Sequence, residues 1–96
     1  MTAFSPGDVP RLPRGVRMRF DAVRDAHILL APERTFDLDE IALAVLQLVD
    51  GTRSISDIAA MLAERYAADK AEIQADVLGM LDELSAKRVV ERAVAA

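Results

Sequence analysis

Residue types that carry chemistry are scarce in this chain. There is one histidine, His27, and no cysteine. That inventory excludes disulfides, thiolate metal sites, Fe–S ligation and a cysteine nucleophile, and it leaves no second imidazole to share a metal. His27 precedes Ile28, Leu29 and Leu30, the setting of a surface or half-buried strand histidine. No serine lies in a nucleophile motif beside which it would serve as a base. Acids pair at Asp82-Glu83 and at Glu72 and Asp76, the second pair at i, i+4 on one helical face. Such a pair suits acid–base work or a cation only with a histidine or further acids opposite, and a solvated helix face accounts for it here. Gly7, Gly15, Gly51 and Gly79 form neither a dinucleotide fingerprint nor a phosphate loop. The expectation is a protein without catalytic residues, metal or cofactor.

The elements that position these residues fit one small domain of 96 residues, with 52% hydrophobic and 29% charged side chains. Aromatics make up 4% and tryptophan is absent, so the core is aliphatic. Residues 1–15 hold Pro6, Pro10 and Pro13 with Gly7 and Gly15, which forbids helix and predicts a flexible, extended arm. From Val16 the period is two: Val16, Met18 and Phe20 alternate with Arg17, Arg19 and Asp21, a strand with an arginine-bearing outer face. A turn over 22–26, lacking Gly and Asn, leads to a second strand at 27–30. Pro32 stops it, and residues 34–38 alternate again as a third strand.

Helices must cover the apolar face of such a sheet. Asp39 is a fair N-cap with Glu40 in the first turn. Residues 41–49 are apolar at nearly every position, which predicts a helix buried on most sides and ended by Asp50-Gly51, with Gly51 as the left-handed residue. Ser54-x-x-Asp57 resembles a capping box, and Ile55, Ile58, Leu62 and Tyr66 fall on one face of a second helix. After Ala67-Ala68, Asp69-x-x-Glu72 opens a third, with Ile73, Val77, Met80, Leu81 and Leu84 as its stripe and Lys87-Arg88 at its end. Residues 89–92 read as a last short strand or a tail. The expected fold is α+β, winged helix-turn-helix-like: a three-stranded antiparallel sheet followed by three helices. It occupies residues 16–92, between the Pro-rich arm 1–15 and a tail 93–96.

Charge is uneven. Residues 1–36 carry six bases and four acids, residues 37–86 three bases and eleven acids, and residues 87–96 three bases and one acid. A winged helix that reads DNA needs a basic recognition helix. Residues 69–88 carry five acids and three bases, so Glu72, Asp76, Asp82 and Glu83 would meet phosphates with like charge. The outline is kept and nucleic acid is set aside. No membrane-length apolar run and no secretory signal is visible, so a cytoplasmic protein is expected.

Surface geometry is the remaining resource. The third strand of a meander lies at an edge, so residues 35–38 would expose unpaired N–H and C=O groups, a template for an added strand. Leu78, Leu81 and Ser85 offer a groove shared with that edge; alternatively, Leu78 is simply exposed or packs on the tail.

One set of segments resembles a known family. It comprises Arg11-Leu12-Pro13-Arg14-Gly15-Val16-Arg17-Met18-Arg19-Phe20-Asp21, then Leu29-Leu30-Ala31-Pro32-Glu33-Arg34, then Leu46-x-x-Val49-Asp50-Gly51-Thr52, then Ile55-x-x-Ile58-x-x-x-Leu62-x-x-x-Tyr66. Together these resemble the PqqD family of pyrroloquinoline quinone (PQQ) biosynthesis, peptide chaperones that are RiPP precursor-peptide recognition elements. The resemblance implies a winged-helix domain without catalysis that binds the precursor peptide PqqA and presents it to the radical SAM enzyme PqqE. In such domains the leader peptide adds beside the third strand and packs on the third helix. On this sequence that implies Thr35, Phe36, Asp37 and Leu38, and the face of Ile73, Asp76, Val77, Met80 and Leu81. The alternative is a winged-helix DNA-binding transcription regulator, for which only the strands and termini offer basic residues. A monomer or weak dimer is expected, with the arm or hairpin able to exchange into a swapped dimer.

Overall fold

The structure, a computed structural model, describes residues 4–93. Its strands are β1 (Pro10–Arg11), β2 (Arg17–Asp21), β3 (Ala26–Leu30), β4 (Thr35–Asp37) and β5 (Glu91–Arg92). Its helices are α1 (Glu40–Leu46), α2 (Ile55–Tyr66) and α3 (Lys70–Ala86). Strands β2, β3 and β4 form an antiparallel sheet in that order, and β1 pairs with β5 in a second, two-stranded sheet. The three-stranded sheet followed by three helices is the α+β architecture that the hydrophobic pattern predicts.

Register assigns the faces of the sheet. Met18 lies opposite Leu29, and Leu29 opposite Phe36, so this row points to one side. It is the core side: Leu29 is fully buried, and Met18 and Phe36 pack against the same cluster. Arg17 and Arg19 fall on the outer face, as their alternation requires. The β2–β3 turn manages without glycine because aspartates supply both needs. The Asp21 carboxylate accepts the N–H groups of Val23 and Arg24 at 3.0 and 3.3 Å, and Asp25 takes the left-handed conformation with φ of 51°.

All three helices start at the expected caps. The Asp39 side chain accepts from the Ala42 N–H, Ser54 and Asp57 close a reciprocal capping box, and Asp69 accepts from the Glu72 N–H. Their inward residues, with Leu46, Ile55, Ile58 and Leu81 fully buried, make the aliphatic core. Each such side chain contributes about 1.5–3 kcal/mol relative to exposure.

Two expectations about the helices are corrected. First, α1 ends at Leu46, and the N–H groups of Leu48 and Val49 bond the carbonyls of Val45 and Leu46 in a tighter i−3 pattern. Gly51, with φ of 81°, therefore serves the following loop, not the helix end. So short a helix is not buried on most sides: Ala44, Val45 and Leu46 are buried, but Ile41 is 68% exposed. Second, the α2 stripe leaves the core in its last turn, where Tyr66 is 46% exposed.

That loop carries a pH signature. The N–H groups of Arg53 and Thr52 donate to the Asp50 carboxylate and hold its pKa down at about 2. A depressed carboxylate stabilises the fold above its unfolded pKa, and the contribution disappears as pH falls through the folded value. Asp50→Ala is therefore expected to destabilise the protein at neutral pH, with the deficit shrinking between about pH 4 and pH 2. Thermal melts of both proteins across that range check it. A deficit independent of pH would contradict the assignment.

The Pro-rich segment, expected as a flexible arm, instead lies along its own domain over the described residues. The carbonyls of Pro6 and Asp8 accept the N–H groups of Ser56 and Ile55, at the start of α2, at 2.8 and 2.9 Å. Those are donors that a helix start leaves without intrahelical partners. The Val9 carbonyl accepts from Ala93 at 2.7 Å, and β1 pairs Pro10 with Arg92 and Arg11 with Glu91. Phe4 and Pro10 are buried, as are Val89 and Val90 leading into β5. Proline removes a donor but keeps its carbonyl, and these carbonyls find partners. Residues 89–92 accordingly hold a short strand. Residues 1–3 of the arm and 94–96 of the tail lie outside the described residues.

Candidate functional site

Backbone geometry makes β4 an open edge. The Leu38 N–H bonds the His27 carbonyl at 3.0 Å, and the Ala31 N–H bonds the Arg34 carbonyl at 2.8 Å. In an antiparallel ladder these fix the alternation: residues 34, 36 and 38 direct their backbone groups to β3. Thr35 and Asp37 direct theirs to the free edge. Both residues are exposed, while Phe36 and Leu38 are half-buried and pack on the core.

Just beyond this edge the chain turns through Asp39 into α1, and a groove of about 530 Å³ opens between α1, the end of α2 and the first half of α3. Buried Ala44, Val45, Leu62 and Val77 form its floor. Ile41 and Tyr66 stand exposed at its sides, with half-buried Ile73 and Met80 between. Asp39, Glu40 and Asp76 supply its polar rim. The Asp39 carboxylate is engaged as the α1 cap at 2.7 Å, whereas Glu40 and Asp76 form no ion pair among the described residues.

The start of β4 is tied to the end of α3. Arg34 donates to the Lys87 carbonyl at 2.6 Å, and both side chains lie over the Phe36 ring, at 5.2 and 5.7 Å from its centre. One end of the edge is thus flanked by two cations, and the other by Asp39, Glu40 and Asp76 beyond the Arg24–Asp37 pair.

Of the residues singled out in the sequence, Ile73, Asp76, Val77 and Met80 come together in the groove. Leu81 does not: it is fully buried in the core, because the next position along a helix turns about 100° away from Met80. Thr35, Phe36, Asp37 and Leu38 border the groove without lining it, and the Asp37 carboxylate pairs with Arg24 at 2.8 Å. Leu78 packs against the core, so the groove of Leu78, Leu81 and Ser85 does not form. The wall supplied by α1 and Tyr66 was not anticipated. Its signal was the apolar excess of residues 41–46, more than a two-turn helix can bury. His27 meets the Phe20 ring edge-on at 5.0 Å. Among the described residues no cluster of three or more His, Cys, Asp or Glu is placed to hold a metal, and no helix is long and apolar enough to cross a membrane.

Fold and site define a class: a winged-helix-like α+β domain that sets an open sheet edge beside an apolar groove. Within that class the chain belongs to the PqqD family, coenzyme PQQ synthesis protein D, whose family model matches residues 26–90. It is similar to the bifunctional coenzyme PQQ synthesis protein C/D of Methylorubrum extorquens, 65% identical over 91 residues. That match covers 95% of this chain but only 24% of the relative's length. It is also similar to the PqqA binding protein of Xanthomonas oryzae pv. oryzae, 47% identical over 90 residues, 94% of this chain and 98% of that protein. Among solved structures, the solution NMR structure of the PqqD truncation of Methylobacterium extorquens PqqCD matches with a TM-score of 0.83 at 65% identity. It covers 95% of this chain and 97% of that one, and represents a functional, stand-alone RiPP recognition element.

Proposed function

We propose that this chain is a non-catalytic peptide chaperone of PQQ biosynthesis that binds the precursor peptide PqqA and presents it to the radical SAM enzyme PqqE in the cytoplasm. The observation that carries the reading is the outward backbone of Thr35 and Asp37 beside the groove of Ile73, Asp76, Val77 and Met80. An added strand takes its hydrogen bonds from the edge and its selectivity from side-chain pockets. Relatives of nearly this length are PqqA binding proteins, which supports the same reading. The acids of α3 weigh against duplex DNA as the partner. Packing of residues 4–11 on their own domain supports a monomer or weak dimer as the working unit.

Amide-shift mapping with the full-length precursor peptide tests this, with duplex DNA as the competing probe. The largest changes are expected at residues 35–38 and 73–80, and DNA should leave the spectrum unmoved. Changes confined to 55–65 or to β2 would move the site elsewhere. Asp37→Pro sharpens the test. The Asp37 N–H faces the open edge, so proline removes a donor offered to the peptide without breaking a bond to β3. One lost hydrogen bond of about 0.5–1.5 kcal/mol weakens binding roughly two- to tenfold. Calorimetric titration beside a circular dichroism spectrum reads it, and unchanged affinity in a folded variant would exclude strand addition at this edge.

A further inference from the structure

The charges around the site are ordered along it, and this bears on which way the peptide lies. At the start of β4 stand Arg34 and Lys87. At the far end the Arg24 guanidinium is taken up by Asp37 at 2.8 Å, and past that pair stand Glu40 on α1 and Asp76 on α3, with the capping Asp39 between β4 and α1. The two walls carry this order independently. Along α3, Asp76 to Lys87 spans about 16 Å at a rise of about 1.5 Å per residue. An extended peptide covers that α3 distance in about five residues at about 3.3 Å each. Glu83 lies 3.8 Å from the Lys87 ammonium and offsets part of its charge, but the Arg34 guanidinium, which donates to a neutral carbonyl, keeps that end positive.

Resting on the peptide-binding reading above, we propose that the site selects the polarity of its ligand: it takes an extended peptide segment with a cationic side chain at one end and an anionic one about five or six residues away. The cation lies against Glu40 and Asp76, and the anion against Arg34 and Lys87. Every strand pair of the sheet is antiparallel, and antiparallel pairing is slightly the more stable per residue. A strand added antiparallel to β4 enters at the Glu40 end. The bound segment therefore reads cationic residue first, apolar residues over the groove, anionic residue last. Opposite charges placed this way fix register and direction, and misdirected peptides meet like charge at both ends.

The experiment is a charge swap on the whole chain with the full-length PqqA-type precursor peptide as probe. The double variant Glu40→Lys with Asp76→Lys is titrated at low and high salt, beside the neutral control Glu40→Gln with Asp76→Asn. Glu40 and Asp76 are both exposed, and amide spectra of each variant check that it is folded. At low salt the lysine variant is expected to bind at least tenfold more weakly and the neutral variant to fall between. The difference should shrink at high salt. A precursor peptide whose cationic residues N-terminal to the bound strand are changed to glutamate is expected to bind the lysine variant better than the native chain. Equal binding of native chain and lysine variant at low salt, or no recovery with the swapped peptide, would overturn the proposal while amide shifts at 35–38 and 73–80 kept the groove reading in place. Silence at those amides in the native chain would instead overturn both.

Discussion

Met80→Asp is expected to weaken binding of the precursor peptide by roughly thirtyfold or more and to leave the fold in place. Met80 is half-buried on the groove wall, so its side chain meets the ligand more than the core. An aspartate there places a charge against an apolar contact, one turn from Asp76, and no cation is among the groove-lining residues described. A penalty of only about 2 kcal/mol already lowers affinity about thirtyfold, and unpaired burial commonly costs more. The neighbouring positions show why this residue is the informative one. Val77 lines the same groove but is 3% exposed, and Leu81 is fully buried, so a charge at either unfolds the core before it reports on binding. Titration calorimetry beside a thermal melt separates the two effects. An intact variant with native affinity would mean that the peptide does not use this wall.

The same three residues show where sequence reading ran out. The strands were legible because alternation at 16–20 and 34–38 has one structural solution, and the caps Asp39, Ser54 and Asp69 because a side-chain acceptor before an amphipathic run has an obvious donor to meet. The α3 stripe was legible as apolar but not as divided. Met80 and Leu81 are adjacent apolar residues on a helix that faces both a core and a groove, and periodicity gives the same signal for either. Tyr66 continues the spacing of Ile55, Ile58 and Leu62, yet the last turn of α2 projects past the core, so the same stripe changes from packing to lining. At residues 41–46 the apolar excess predicts burial. In the structure Ile41 stands open at the groove, an apolar surface kept for something outside the domain. The family resemblance implies residues 35–38 and the third helix, although the segments that carry it, 11–21, 29–34, 46–52 and 55–66, contain neither. It did not mark which side chains face outward, since that depends on how far α1 extends and where α2 ends.

The N-terminal segment gives the second large effect. Prolines state what a backbone cannot do; they do not state where its carbonyls find donors, and here the donors lie on α2 and at residue 93. The consequence is that Phe4→Ala should cost about 3 kcal/mol of stability. Its ring is 7% exposed within the main core cluster, the Arg92 guanidinium lies over it at 5.3 Å, and the Phe4 N–H donates to the Asp82 carboxylate at 2.7 Å. Truncating a buried phenylalanine costs about 3–5 kcal/mol, and a site near a chain end relaxes enough to favour the lower figure. For a domain of this size each kcal/mol moves the melting temperature by about 4–8 °C, so a fall of roughly 12–24 °C is expected. Because the buried ring is not among the groove-lining residues, the folded fraction should bind the precursor peptide with native affinity. Urea unfolding followed by circular dichroism, with peptide titration well below the midpoint, reads both quantities. A loss under about 0.5 kcal/mol, the range of an ordinary surface substitution, would show that residues 4–11 leave the domain at little cost and behave as the free arm their prolines suggest.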